Sequence, residues 1–226
     1  MEEKIIISLG GSMVVPENPD AEFVIKFRDL ILNWVSLGKK FFIIVGGGKV
    51  CRIYQDALSK TIIADKDMLD WMGIYSTHMN AQFLRLSFGD KAYEGIITDP
   101  SVIKNINNDV VIGAGWKPGC STDMGAVLVA EEIGAKKIVN LSSVDFVYDS
   151  DPALNKNAKK IENISWEEYM KIAGDEWNPG MNLPFDPIAS KKAKELDLEL
   201  AFIGGHNLES FNDYLEGKTF SGTTIK

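Results

Sequence analysis

Three glycine-containing turns, each placed directly after a short apolar run, constrain the fold of this chain most strongly. They cover residues 10–12, 46–48 and 113–119. Glycine lets the backbone approach a ligand closely, and the free N–H groups at the start of a following helix form an anion site. Because such turns converge at the carboxyl edge of an open α/β sheet, the pattern predicts a site for phosphate groups at that edge.

The rest of the chain alternates short apolar strands with longer helical segments, as βαβ units around a mostly parallel sheet do. The predicted strands are Lys4–Leu9, Phe41–Val45, Asp109–Ala114, Lys137–Leu141 and Leu198–Ile203. The predicted helices cover residues 23–35, 68–88, 123–133, 186–196 and 207–215, and a capping box at Ser165 and Glu168 starts another. Polar loops are expected over residues 148–160 and 174–184. This order predicts a three-layer αβα sandwich with a mostly parallel central sheet.

Length and composition favour one globular domain over residues 1–226, because a chain with 45% hydrophobic residues can bury a single core. The formal net charge of −8 argues against a nucleic-acid partner, since binding a polyanion needs a basic face. The apolar run at residues 5–9 is too short for a signal peptide or a membrane span. We therefore expect a cytoplasmic protein without a membrane partner.

The cysteine and histidine residues predict neither a disulfide framework nor a metal site. Cys51 and Cys120 lie far apart in the sequence and lack CxxC spacing. His78 and His206 are similarly distant from one another, so no zinc-type cluster is indicated.

Each glycine turn taken alone is equally well explained as an ordinary tight connection between a strand and a helix. Two common phosphate-binding motifs are absent: Gly48 and Lys49 are not followed by the Ser or Thr of a P-loop, and no turn reads GxGxxG. The presence of three turns in one chain favours phosphate binding by a different scheme.

Six sequence motifs carry a resemblance to a known family over nearly the whole chain. They are GGSMVVPENPD from Gly10, VGGGKVCRIY from Val45, PGCSTD from Pro118, SSVDFVYDSDP from Ser142, FDPIASK from Phe185 and GTTI from Gly222. Together they resemble the amino acid kinase family, and within it the uridylate kinases of the archaeal type. The resemblance implies a phosphotransferase that uses ATP and Mg²⁺ to phosphorylate UMP. It also implies a homo-oligomer, either a dimer or a hexamer.

The resemblance further implies an acceptor-binding part at about residues 1–135 and an ATP-binding part at about residues 136–226. The residues implied for UMP binding are Gly47, Asp70, Gly115, Trp116, Lys117, Pro118, Gly119, Cys120, Ser121 and Thr122. Those implied for ATP binding are Gly11, Ser12, Gly48, Arg52, Ser142, Ser143, Tyr148 and Asp151. Arg52 and Asp123 are implied as catalytic, and the Arg52 guanidinium suits this role because it can bind phosphate oxygens bidentately.

Several of these residues also have a simpler structural explanation. Asp123 is equally well explained as the N-cap of the next helix. Asp70 is also consistent with a solvated helix charge, and Tyr148 with core packing. Trp116 lies inside the acceptor loop, where its ring is expected either to stack on a base or to cap the pocket.

The sequence departs from the family pattern at three positions. Many members carry a lysine where this chain has Ser8, and a second lysine is replaced near Leu183. Without these cations, Arg52, Mg²⁺ and backbone N–H groups must neutralise the charge on the transferred phosphoryl group. At the third position Phe146 replaces a glycine, so the nucleotide loop has to accommodate a bulky ring.

These departures leave other functions open at this point. One is a related kinase for a phosphonate, an isoprenoid phosphate or a carboxylate. Another is a protein on the same fold that binds a nucleotide or stores an oxyanion without catalysing phosphoryl transfer.

Overall fold

A mostly parallel sheet runs through the part of the chain that the computed structural model describes, namely residues 3–150, 152, 154–174 and 183–226. The strands are β1 (Glu3–Leu9), β2 (Lys39–Val45), β3 (Ile96–Ile97), β4 (Val110–Gly113), β5 (Lys137–Ser142), β6 (Val147–Tyr148), β7 (Lys160–Ile161), β8 (Asn163–Ile164), β9 (Glu199–Gly204) and β10 (Gly222–Ile225). Among the described residues, eight of these strands form one sheet in the order β3-β4-β2-β1-β5-β9-β10-β8. Strand β10 runs antiparallel to β9, whereas β6 and β7 form a separate antiparallel pair.

Helices connect the strands and cover both faces of the sheet. They are α1 (Gly11–Val14), α2 (Ala21–Ser36), α3 (Gly48–Thr61), α4 (Lys66–Phe88), α5 (Thr122–Ile133), α6 (Trp166–Ala173), α7 (Pro187–Glu195) and α8 (Leu208–Leu215). Two short 3₁₀ helices, Gly89–Lys91 and Pro100–Asn105, flank β3.

The central strands send alternate side chains to opposite faces, and each face has its own apolar core. In β1, Ile5, Ile7 and Leu9 join the core beneath α2, α4 and α8. Ile6 points the other way, into the core beneath α5, α6 and α7. The predicted three-layer αβα sandwich is therefore confirmed.

The five predicted strands and the five predicted helices are all present, with ends shifted by at most two residues. The capping box at Ser165 and Glu168 is also present. Helix α3 was not predicted. None of its residues is fully buried, and it starts on Gly48, which has a positive φ of 62°. The expected loop at residues 174–184 falls mostly outside the described residues.

A buried tyrosine ties α6 to the segment that precedes α7. The Tyr169 hydroxyl donates to the C=O of Phe185 at 2.7 Å and accepts from the N–H of the same residue at 2.7 Å. Both backbone groups of Phe185 are thus paired through a single side chain. Because the peptide is buried, losing this partner would leave two unsatisfied polar groups.

We predict that Tyr169→Phe lowers the free energy of unfolding by about 1–3 kcal/mol, since both Phe185 groups lose their partner. Tyr214→Phe is the matched control, because the Tyr214 hydroxyl is buried without a hydrogen-bond partner. Loss of the Tyr214 hydroxyl should leave the free energy of unfolding unchanged or slightly higher. Urea unfolding of both variants tests the prediction, and equal losses in the two variants would contradict it.

Candidate active site

The first two glycine turns touch each other through their backbones at the carboxyl edge of the sheet. A Cβ atom built on Gly11 would lie 2.2 Å from the C=O oxygen of Gly46, and one on Gly48 would lie 2.5 Å from the backbone N of Ser12. Neither position has room for a side chain. The turns after β1 and β2 therefore form one continuous surface of backbone.

A cleft opens beside these turns, between α3, α4 and the loop that leads from β4 to α5. Seven of the residues implied for acceptor binding line it: Gly47, Asp70, Gly115, Lys117, Cys120, Ser121 and Thr122. Gly48, Arg52 and Asp123 line the same cleft. Trp116, Pro118 and Gly119 belong to the loop but do not line the cleft.

Two cationic side chains face this cleft without a carboxylate partner among the described residues. Arg52 lies in the first turns of α3, and Lys117 lies in the loop on the other side. The Lys117 ammonium is 3.9 Å from the centre of the Trp116 ring, a cation–π contact. It also interacts electrostatically with the Asp99 carboxylate, without a salt bridge. Each of these cations is suited to bind a phosphate oxygen, although the carboxyl groups of Asp70 and Asp123 line the same cleft.

Asp70 connects α4 to the acceptor loop. Its carboxylate accepts a hydrogen bond from the Gly119 N–H at 2.8 Å, and the residue is only 8% exposed. Desolvation raises the pKa of Asp70, although the hydrogen bond from Gly119 partly offsets this effect. The alternative that Asp70 is a solvated helix charge is therefore wrong.

Asp123 lies at the centre of a hydrogen-bond network that joins three strand and helix ends. Its Oδ1 accepts from the Ser8 hydroxyl at 2.7 Å and from the Asn140 amide at 3.2 Å. Its Oδ2 accepts from the backbone N–H of Asp186 at 3.1 Å. Desolvation raises the pKa of Asp123 to about 6, while the hydrogen bond from Ser8 opposes that rise.

The N-cap alternative for Asp123 is wrong. The N-cap of α5 is Ser121, whose hydroxyl oxygen accepts from the Met124 N–H at 3.1 Å. Asp123 lies one residue inside the helix, where its side chain is directed toward β1 and β5 instead. Ser8 therefore places a neutral hydroxyl, where many family members have an ammonium group, against this carboxylate.

We predict that Ser8→Ala moves the titration of Asp123 to higher pH, because the variant lacks a hydrogen bond that favours the ionised form. The folded-state pKa already exceeds the ordinary value of 3.8, so the folded protein keeps a proton that the unfolded chain releases. This proton uptake stabilises the folded state fully below about pH 4, and the stabilisation is lost as pH rises through about 6. In Ser8→Ala the stabilisation should persist to a higher pH before it is lost.

Urea unfolding between about pH 4 and about pH 8 measures this difference. Ser36→Ala is the control, because that serine only donates to the C=O of Asn33 at the end of α2. Curves of identical pH dependence for Ser8→Ala and the unaltered protein would refute the assignment.

The residues implied for ATP binding fall in two places. One group belongs to the first two glycine turns and the start of α3, namely Gly11, Ser12, Gly48 and Arg52. The other group lies at the end of β5 and in the hairpin that follows. Ser142 ends β5, Ser143 is exposed, and the Tyr148 hydroxyl donates to the Asp145 carboxylate at 2.8 Å. Tyr148 is only partly buried, so the alternative of simple core packing is wrong. Asp151 lies outside the described residues.

Phe146 is accommodated by burial. Its ring is 7% exposed, and the Lys160 ammonium lies 4.3 Å from the ring centre. The same ammonium forms an ion pair with Asp145 at 2.9 Å. These contacts hold Phe146 against Lys160 of β7, directly before β6.

Five cleft-lining residues were not predicted from the sequence: Cys51, Gln55, Gly73, Ile74 and Thr77. They come from the facing sides of α3 and α4, which pack closely because Gly73 lacks a side chain. A Cβ atom on Gly73 would lie 3.2 Å from the Cys51 sulfur and 3.3 Å from the Gln55 amide nitrogen. A glycine inside a long helical pattern was the available signal, since it often marks close packing.

Within the described ranges, no group of three or more His, Cys, Asp or Glu side chains could hold a metal ion. The described helices include none with the length and apolar character needed to traverse a bilayer.

The mostly parallel sheet, the glycine turns at its carboxyl edge and the cleft with Arg52 and Lys117 define a protein of the phosphate-binding α/β class. The sequence profile of the amino acid kinase family matches residues 3–203. This chain belongs to the amino acid kinase family.

Relatives and solved structures agree with this assignment. A uridylate kinase from Pyrococcus abyssi is 34% identical over 226 residues, which cover 99% of both chains. The crystal structure of uridylate kinase from Archaeoglobus fulgidus superposes with a TM-score of 0.83 at 29% identity, covering 99% of this chain and 100% of the other. A UMP kinase from Bacillus anthracis, at 20% identity and a TM-score of 0.78, shares the fold.

Proposed function

We propose that this protein is a uridylate kinase, which transfers a phosphoryl group from ATP to UMP and forms ADP and UDP. The observation that carries the proposal is the cleft, where backbone from two glycine turns meets two cations without carboxylate partners among the described residues. Full-length similarity to uridylate kinases supports the same substrate pair.

In this proposal the N-terminal part, to about residue 135, binds the acceptor, and the remainder binds ATP. Arg52 and the backbone around Gly48 bind the transferred phosphoryl group. Lys117 and the hydroxyls of Ser121 and Thr122 bind the acceptor phosphate. Catalysis then arises from positioning two phosphates in line and neutralising the charge that develops between them.

Asp70 and Asp123 have different tasks in the proposed mechanism. The Asp70 carboxylate keeps one oxygen bonded to Gly119 and presents the other to the acceptor's ribose hydroxyls. Asp123 touches Ser8 and the backbone ahead of α7, so it orders the junction between the acceptor and ATP parts.

Mg²⁺ fits this site as an ion carried by the nucleotide. Mg²⁺ in phosphotransferases is commonly bound by substrate phosphates with one or two carboxylates. Here the Asp123 oxygens already accept three hydrogen bonds, and the described residues provide no larger donor cluster. When bound, the ion neutralises phosphate charge, and Arg52 does the same from the protein side.

We predict that the purified protein, supplied with ATP and Mg²⁺, phosphorylates UMP faster than any other nucleoside monophosphate. Arg52→Met should lower kcat/KM for this reaction about 100-fold to 1,000-fold, because a charge-stabilising donor is removed. Lys60→Met is the control, since Lys60 lies on the same helix but pairs with Asp56 at the surface.

A coupled assay of ADP release with each nucleoside monophosphate tests the proposal. Absence of turnover with every monophosphate would overturn it. Equal losses in Arg52→Met and Lys60→Met would exclude the role given to Arg52.

One observation favours a second candidate, a nucleotide-binding protein without phosphotransferase activity. The Ser8 hydroxyl supplies no positive charge beside Asp123, where many family members have a lysine. Thermal stabilisation by ATP and UMP without ADP release would support this candidate, because binding alone shifts the unfolding equilibrium.

We also propose that the protein forms a homo-oligomer, a dimer or a hexamer, through an apolar stripe on α4. The stripe consists of Met68, Trp71, Tyr75, Met79 and Leu86, all exposed. Their spacing of three, four and seven residues places them on one face of the helix. The charged residues of α4 lie outside this face, so a second copy can pack against it about a two-fold axis.

Met79→Glu should dissociate the oligomer, because it would bury a carboxylate in an apolar interface. Light scattering after gel filtration measures the molecular mass. Leu37→Glu is the control, since Leu37 is 65% exposed but lies at the end of α2. A monomeric unaltered protein, or an oligomer that persists in Met79→Glu, would rule out this interface.

A further inference from the structure

Helix α4 contacts the second and third glycine turns through buried polar side chains that play no part in the mechanism described above. Asn80 is 2% exposed, and its amide donates to the C=O groups of Gly46 at 2.9 Å and Gly47 at 3.2 Å. Thr77 lies one helical turn earlier and is 5% exposed. The two side chains therefore point the same way along α4.

Both backbone polar groups of Gly115 are bound by α4. Its N–H donates to the Thr77 hydroxyl oxygen at 2.7 Å, and its C=O lies 2.8 Å from Nε2 of His78. The Thr77 hydroxyl proton is committed to the C=O of Ile74 at 2.6 Å. Because the Gly115 N–H can only donate, the Thr77 hydroxyl serves at once as its acceptor and as the donor to Ile74.

The contact between Gly115 and Thr77 also leaves no space for Gly115 to move toward α4. A Cβ atom on Gly115 would lie 2.9 Å from the Thr77 hydroxyl oxygen. Gly115 is the residue from which the acceptor loop leaves the sheet, and Asp70 holds the same loop again at Gly119. A change at Thr77 should therefore displace the loop where it enters the cleft.

We propose that Thr77 is a positioning residue for the acceptor: by holding Gly115, it sets where the loop that includes Lys117 and Ser121 meets the second glycine turn. The inference rests on the proposed function. Thr77 binds the loop and not the first two turns, so its loss should weaken UMP binding and leave ATP binding unchanged.

The neighbouring residue provides a matched control. Ser76 is buried to a similar extent at 6% exposed, and its hydroxyl donates to the C=O of Met72 within α4. Ser76→Ala therefore removes a buried hydroxyl and one helix hydrogen bond without touching either turn. Thr77→Val removes the hydroxyl with little change in volume, and Thr77→Ser restores it.

Steady-state kinetics with UMP and ATP test the proposal on the full chain. Thr77→Val should raise KM for UMP about tenfold, with KM for ATP within about twofold of the unaltered protein. Thr77→Ser should return KM for UMP to near its original value, and Ser76→Ala should not change it. An unchanged KM for UMP in Thr77→Val, or equal increases for both substrates, would overturn the proposal.

Amide hydrogen exchange of the segment around Gly115 provides a readout that does not depend on turnover. Exchange there should accelerate in Thr77→Val and stay unchanged in Thr77→Ser and Ser76→Ala, because only the first loses the acceptor for the Gly115 N–H. Unchanged exchange in Thr77→Val would refute the anchoring. If the unaltered protein formed no UDP, the proposed function would fail, and this exchange experiment would still decide the anchoring.

Discussion

The close backbone contact between the turns that follow β1 and β2 is the constraint on which the site depends. At Gly11 the space for a side chain is already filled by the C=O of Gly46, and at Gly48 it is filled by the backbone of Ser12. Such an approach is possible only because β1 and β2 are adjacent and parallel, so that their carboxyl ends emerge side by side. The result is a patch of backbone that can reach phosphate oxygens without interference from side chains.

The third turn follows β4, which pairs with β2 on the side away from β1. Helix α4 joins this turn to the second one. Its buried polar side chains bind the backbone of these two turns, while the buried apolar side chains of the same helix pack on the core. Buried backbone groups need partners, so a helix that supplies them also determines how far apart the turns lie. Packing and ligand geometry are therefore set by the same element.

The five longer strands, the layers and the glycine turns could be predicted from the sequence, since each depends on local patterns of apolar residues and glycine. The contacts of α3 could not, because that helix has no fully buried face and its start is hidden in a run of glycines. The role of Thr77 was equally hidden, because its partner Gly115 lies 38 positions away. Asp123 was open to an N-cap interpretation because Ser121 and Asp123 are both good capping residues, and only the fold decides between them.

The cleft contains two cationic side chains although the whole chain is acidic. The formal net charge is −8, so at long range the protein repels a nucleotide phosphate. Salt screens that repulsion beyond about 8 Å at physiological ionic strength, whereas Arg52 and Lys117 act at contact distance inside the cleft. Binding of an anion must then depend on these two side chains and on backbone N–H groups rather than on the field of the protein. That dependence makes the exact placement of the acceptor loop important, because a displaced Lys117 would leave Arg52 as the single cation that this cleft offers among the described residues.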